Sequence, residues 1–145
     1  MVGDYLNALS PHHKAVNIRQ KTLPPNHPDI AESYNNIGAF YNNMDDHSKA
    51  LSSHQKVLEI AQKALLSDHP CLTISYKNID SVYSVMGDYS NALSSYQEVQ
   101  QIHEKILPPN HPDLARLYHN IVFCITTCVT TRMHFYFIEQ HWQFG

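Results

Sequence analysis

Eleven histidines and three cysteines are the side chains of this sequence best suited to chemistry. Cys124 and Cys128 stand four residues apart, with His119 and His134 nearby. On a helix both thiolates would share a face and could converge on a zinc ion. No second ligand pair follows at a zinc-site spacing, so the pattern reads as two buried or incidental thiols. His27, His69 and His111 each precede a proline and recur at equal intervals. Residues that far apart cannot share an ion whose ligands lie at ~2 Å, and the expected role is to cap or pack a turn. His12-His13 is a lone pair. Nucleophile and phosphate motifs are missing: there is no G-x-S-x-G, no P-loop and no G-x-G-x-x-G. Asp45-Asp46 reads as a turn. Leu51-Ser52-Ser53 and Leu93-Ser94-Ser95 are expected on a solvated helix face. The chain is therefore expected not to be an enzyme, and no cofactor or metal is expected.

Composition narrows the partners. The chain has 145 residues, 43% of them hydrophobic, enough for a core of ordinary size. Its net charge is −3 with histidine neutral. Nucleic-acid binders present a basic face, and anionic lipid surfaces attract basic segments; neither partner is expected. The start, Met1-Val2-Gly3-Asp4-Tyr5, has no basic region followed by an apolar one, so it does not read as a signal peptide. The most apolar stretch, 121–138, is interrupted by Thr126, Thr127, Thr130, Thr131, Arg132 and His134, and falls short of a membrane span. Three sparse cysteines suit reduced thiols and a cytoplasmic location.

The elements that carry these residues repeat. Gly3-Asp4-Tyr5 recurs as Asp45-Asp46-His47 and as Gly87-Asp88-Tyr89, a period of 42. Ala8-Leu9-Ser10, His27-Pro28 and the set Tyr34, Asn36, Ile37 recur twice more at the same interval, and twelve positions are identical in all three copies. Each unit reads as two helices. The first, roughly 29–43, places Tyr34, Ile37, Gly38 and Tyr41 on one face, with Pro28 suited to its first turn. The second, roughly 47–65, carries Ala50, Leu51, Val57, Leu58, Ala61, Ala64 and Leu65 on its apolar side. Gly87 suits a left-handed helix end, and Asp46 or Asp88 suits the cap of the following helix. Leu23-Pro24-Pro25-Asn26-His27-Pro28 closes a unit, because proline cannot continue a helix. The prediction is an all-α chain of six helices, with turns near 24–28, 44–46, 66–70, 86–88 and 108–112.

On these residues the chain resembles the tetratricopeptide repeat, and most of all the 42-residue variety of kinesin light chains and nephrocystin-like proteins. Tyr34, Ile37, Gly38 and Tyr41 match the signature of the first helix; Ala50, His54 and Val57 match that of the second. The next unit offers Tyr76, Ile79, Asp80, Tyr83, Ala92, Tyr96 and Val99. The Leu-Pro-Pro-Asn-His-Pro-Asp loop at 23–29 and 107–113 is typical of the same variety. The resemblance implies a right-handed superhelical solenoid of antiparallel helix pairs. Its parts would be a partial repeat at 1–28, full repeats at 29–70 and 71–112, a partial repeat at 113–128 and a divergent tail at 129–145.

Departures accompany the match. Pro11 falls inside the first helix, which is expected to restart there with Ser10 as cap. Asp80 occupies a position that should be small. Where Met-Gly-Asp-Tyr is due, the chain reads Cys128-Val129-Thr130-Thr131, and no polar capping helix follows. The sequence therefore reads as a fragment of a longer array.

The resemblance also implies a function: a scaffold that holds a peptide segment in a groove lined by the first helices, as in a kinesin-light-chain-like cargo adaptor. Matched to the family pattern, the groove residues are Asn35, Asn36 and Asn42, then Lys77, Asn78 and Ser81, then Arg116, His119 and Asn120. Asparagine is a poor helix-interior residue, so Asn36, Asn78 and Asn120 at one register need a reason. Their amides could hold a peptide backbone or could join neighbouring repeats. Lys77, Arg116 and His119 favour an acidic, extended partner. The motor heavy chain is not an expected partner of this segment, which has no coiled-coil heptads. The alternative is an accessory repeat arm of a larger enzyme or nucleotide-binding signalling protein whose catalytic domain lies elsewhere.

Overall fold

The computed structural model describes residues 2–65 and 69–142, with side chains described for 9–65, 69 and 71–133. Among the described residues there are six helices and no strand. They are α1 (Val2–Thr22), α2 (Pro28–Asn43), α3 (His47–Ala64), α4 (Pro70–Val85), α5 (Tyr89–Ile106) and α6 (Pro112–Trp142). Each helix packs on the next in chain order. The resulting stack makes α2, α4 and α6 the first helices of successive hairpins and α1, α3 and α5 the second. None of the helices is long and apolar enough to cross a membrane, among the described residues.

The turns follow from local chemistry. Within a hairpin, Asp45 (φ 58°) and Gly87 (φ 74°) take left-handed backbone. The next residue's N–H then bonds back across the helix end, Asp46 to the Tyr41 carbonyl at 3.0 Å and Asp88 to that of Tyr83 at 2.9 Å. The same aspartates cap the following helix, accepting from the N–H of Lys49 and of Asn91. Between hairpins, the recurrent histidines act as caps. His27, His69 and His111 each accept, through Nδ1, the N–H two residues on, all at 3.2 Å. This cap accounts for the recurrent spacing of the three histidines.

The core runs along the stack as three clusters. Leu9, Val16 and Ile37 join α1 to α2; Ala61, Leu72 and Ile102 join α3, α4 and α5; Ala92, Tyr96, Val99, Leu117 and Cys124 join α5 to α6. A side-chain bond repeats across each junction. Gln20 donates to the Tyr34 hydroxyl at 2.9 Å, Gln62 donates to Tyr76 at 3.1 Å, and Tyr118 donates to Glu104 at 2.9 Å. These pairs lie 14 residues apart and clamp each second helix to the first helix of the next hairpin.

Two expectations are corrected. The first helix does not restart at Pro11; α1 runs unbroken with Pro11 inside it. Pro11 is exposed, so water can serve the carbonyl that loses its N–H partner, while Leu9 and Val16 anchor both halves on α2. Ser53 and Ser95 are buried rather than solvated. Their hydroxyls donate to the carbonyls of Lys49 and Asn91 one turn back, which allows a small polar side chain to face the core. Beyond Thr127 the repeat pattern stops, as the sequence shows, and α6 continues through to Trp142.

Candidate functional site

Where one hairpin meets the next, three helices enclose a notch, and comparison at the 42-residue period shows how each notch is lined. In the first junction Arg19 fills the space from α1. Its guanidinium donates to the Asp29 carbonyl at 2.7 Å and to the Ser33 hydroxyl at 2.6 Å, and lies 3.3 Å from Glu32. In the second junction the equivalent residue is Ala61, and the space is open. The opening is about 290 Å³. Ala31 and Asn35 of α2, Val57, Ile60, Ala61 and Ala64 of α3, and Cys71, Ile74 and Asn78 of α4 line it. Its walls are apolar except for the asparagines, Asn26, Glu32, Cys71 and Ser75. In the third junction the equivalent residue is His103, and a notch of about 300 Å³ is lined by Lys77, Asp80, Tyr96, His103, Asp113, Arg116, Leu117 and Asn120.

The two open notches are the same place one repeat apart. Asn35 becomes Lys77, Ala61 becomes His103, Cys71 becomes Asp113, Ile74 becomes Arg116, and Asn78 becomes Asn120. Side-chain choice alone converts an apolar notch into a charged one. Ile74, 61% exposed at the mouth of the first, offers an apolar surface to a ligand. Arg116 in the second donates to Asp113 at 2.8 Å and leaves further N–H groups free to donate.

Asp80 marks the floor of the charged notch. Its register mate is Gly38, where an added Cβ would meet the His54 ring at 2.7–2.9 Å. In the next hairpin Asp80 stands opposite Tyr96, the mate of His54, and the Tyr96 hydroxyl donates to the carboxylate. Burial pushes the Asp80 carboxyl from the ordinary 3.8 up to about 6, against the opposing pull of the Tyr96 hydrogen bond and Lys77. Burial also lowers the affinity of His103 for a proton, aided by the nearby positive charges of Lys77 and Arg116 and opposed by Asp113. Its Nδ1 is buried with no hydrogen-bond partner among the described residues.

The structure distributes the residues expected to line the groove as follows. Lys77, Arg116 and Asn120 meet at the charged notch, and Asn35 and Asn78 meet at the apolar one. The Asn78 amide donates to the Asn35 side chain at 2.9 Å, so this member of the asparagine series joins neighbouring repeats. Asn36 is exposed and lines neither notch, as are Ser81 and His119. Asn42 pairs with His47 at 3.2 Å within its hairpin. Sequence reasoning missed the contributions of α3 and α5, above all Ala61 and His103. Aligning the second helices by register shows both, since Arg19, Ala61 and His103 share one position. Among the described residues no three His, Cys, Asp or Glu side chains could hold a metal. Cys124 is buried in the core and Cys128 lies 3.9 Å from the Ser90 hydroxyl; the side chain of His134 lies outside the described residues.

Comparison with known proteins agrees with this architecture. Family models described as tetratricopeptide repeat match residues 1–63, 29–84 and 81–113. The chain belongs to the tetratricopeptide repeat family, and its fold is a solenoid of antiparallel helix pairs of the kinesin-light-chain kind. No curated protein matches it. Among solved structures it is similar to the nearly identical TPR-like repeats of a protein described as a kinesin light chain from Podosopora anserina. That match has a TM-score of 0.73 at 23% identity and covers 95% of this chain and 65% of the other. It is also similar to BtubC (BKLC) from P. vanneervenii, with a TM-score of 0.74 at 16% identity, covering 87% and 50%. The chain thus spans about two thirds and half the length of those proteins. At these identities the likeness shows the fold. The fold is that of a protein-interaction scaffold, and tetratricopeptide repeats generally bind protein partners.

Proposed function

We propose that the chain holds an extended peptide along α2, α4 and α6, seating an apolar side chain in the α2–α4 notch and an acidic one in the α4–α6 notch. The observation that carries this reading is the change in lining between two register-equivalent notches. Neighbouring helices lie about 8–10 Å apart and an extended chain rises about 3.3 Å per residue, so the two anchors would be about three residues apart. Lys77 and Arg116 supply the attraction for the acid, and Ile60 and Ile74 the surface for the apolar side chain. On this reading the chain serves as a cargo-adaptor-like scaffold without catalysis of its own. A cytoplasmic setting fits its free thiols, Cys71 being exposed.

Peptide-display selection against the purified chain tests the proposal. Enrichment of an apolar residue followed about three positions later by Asp or Glu is expected. Ile74→Asp should abolish binding of the selected peptides. Arg116→Ala should weaken it a few-fold, since an exposed ion pair is worth about 0.2–1 kcal/mol, and should flatten the salt dependence. Selected peptides that bind both variants as well as the parent would move the interface to another face.

A further inference from the structure

The last helix carries an apolar seam that nothing in the chain covers among the described residues. Tyr118, Val122, Ile125, Val129 and Met133 are spaced by four, three, four and four, and each is between 44% and 57% exposed. This is the spacing of a helix-pairing stripe. At 1.5 Å per residue it is about 22 Å long, or four turns. Its first half is not a new surface. Tyr118, Ile121, Val122 and Ile125 are the register mates of Tyr34, Ile37, Gly38 and Tyr41 on α2 and of Tyr76, Ile79, Asp80 and Tyr83 on α4. On those helices the following antiparallel helix covers the face: His54 lies against Gly38, Lys49 sits 5.2 Å over the Tyr41 ring, and Tyr96 bonds Asp80.

One residue accounts for the difference. Asp45 and Gly87 take the positive φ that turns each earlier hairpin, and their mate is Val129. A β-branched side chain is strongly disfavoured there, so α6 continues where the others turn. Val129 itself then extends the stripe. The surroundings suit burial: residues 117–131 contain no Asp, Glu, Lys or Arg. The hydroxyls of Thr126, Thr127, Thr130 and Thr131 are bonded to carbonyls of their own helix at 2.7–3.0 Å. Covering the centre of the seam would strand neither a charge nor a threonine hydroxyl; Glu104, bonded to Tyr118, and Arg132, beside Met133, stand at its two ends.

We infer that two copies of this chain pair through α6, antiparallel about a two-fold axis near Ile125, each covering the other's exposed stripe. The second copy is the partner because this helix presents the continuation of an established interface, in the orientation used inside each hairpin, on a surface whose centre carries no formal charge. About the axis Tyr118 faces the partner's Met133, and Val122 faces the partner's Val129. The notches at Asn78 and Arg116 open elsewhere, so pairing leaves them free. A seam of four turns lies at the small end of stable interfaces, and dissociation in the range of about 1–100 μM is expected.

Sedimentation equilibrium of the full 145-residue chain across that range tests the inference. The parent should move from 16.7 kDa to twice that mass. Val122→Glu alone and Val129→Lys alone should each be monomeric, with helix content unchanged because both residues are exposed. The double variant should regain the dimer, since antiparallel pairing sets each new acid against the partner's new base. A parent that stays monomeric throughout overturns the inference. So does a dimer that either single variant leaves intact, or a double variant that remains monomeric. Species that grow beyond a dimer with concentration overturn it in favour of end-to-end stacking onto α1, where Ile18 is 62% exposed.

Discussion

Asp80→Asn should stabilise the chain at neutral pH, and the size of the effect follows from its surroundings. The folded chain holds this carboxyl at about 6 against the ordinary 3.8, because ionising it means placing a charge in a largely buried site. A carboxyl whose proton affinity is raised by folding stabilises the fold fully below the lower value. That contribution is lost as pH rises through the higher one. At about pH 7.5 the parent therefore carries the whole penalty. A difference of about 2 pH units at about 1.36 kcal/mol each is close to 3 kcal/mol. Water entering the notch screens part of this, leaving about 2 kcal/mol. Asparagine keeps an oxygen to accept the Tyr96 hydroxyl and carries no charge. Urea unfolding followed by circular dichroism should show the variant about 2 kcal/mol more stable at about pH 7.5, and its thermal melt should move up by roughly 6–8 °C. The two proteins should converge as pH falls through about 4, where Asp80 is protonated in the folded chain and becoming so in the unfolded one. Burial lowers the proton affinity of His54 and His103, so their contribution to stability is lost as pH falls below the ordinary histidine range. Both proteins share that loss, which cancels in the difference. A variant no more stable than the parent at neutral pH, or a gain that persists unchanged at about pH 4, would refute the account.

Two further outcomes are expected. Asn78→Ala removes the bond to Asn35 and should lower the melting temperature of the free chain by about 3–4 °C, the worth of one net hydrogen bond of about 1 kcal/mol; lost peptide affinity with an unchanged melt would assign the amide to the ligand instead. Gly38→Ala drives a methyl to within 3 Å of the buried His54 ring and should cost about 1–3 kcal/mol through overpacking, read from the urea midpoint, with an unchanged midpoint showing that the ring can move aside.

The sequence by itself determined the period, the number of helices and nearly every turn. It did so because caps and turns act over a few residues. His27, His69 and His111 sit two residues from the N–H groups they accept; Asp46 and Asp88 sit three from theirs. Gly87 declares its left-handed backbone by having no side chain. The failed turn at Val129 was visible in the same way, as a break in the repeat, although the helix that replaces it was not read from that break. Only the tertiary structure decided what the groove is made of. Each notch gathers side chains from three helices separated by tens of residues, so no local window contains it. Asn78 was singled out by its register, yet its partner, Asn35, belongs to the neighbouring repeat and follows from how α2 and α4 stack. Pro11 shows the limit from the other side. Its local preference is to begin a helix, and packing of Leu9 and Val16 on α2 overrides it, because burial of two apolar side chains outweighs one hydrogen bond that water can replace.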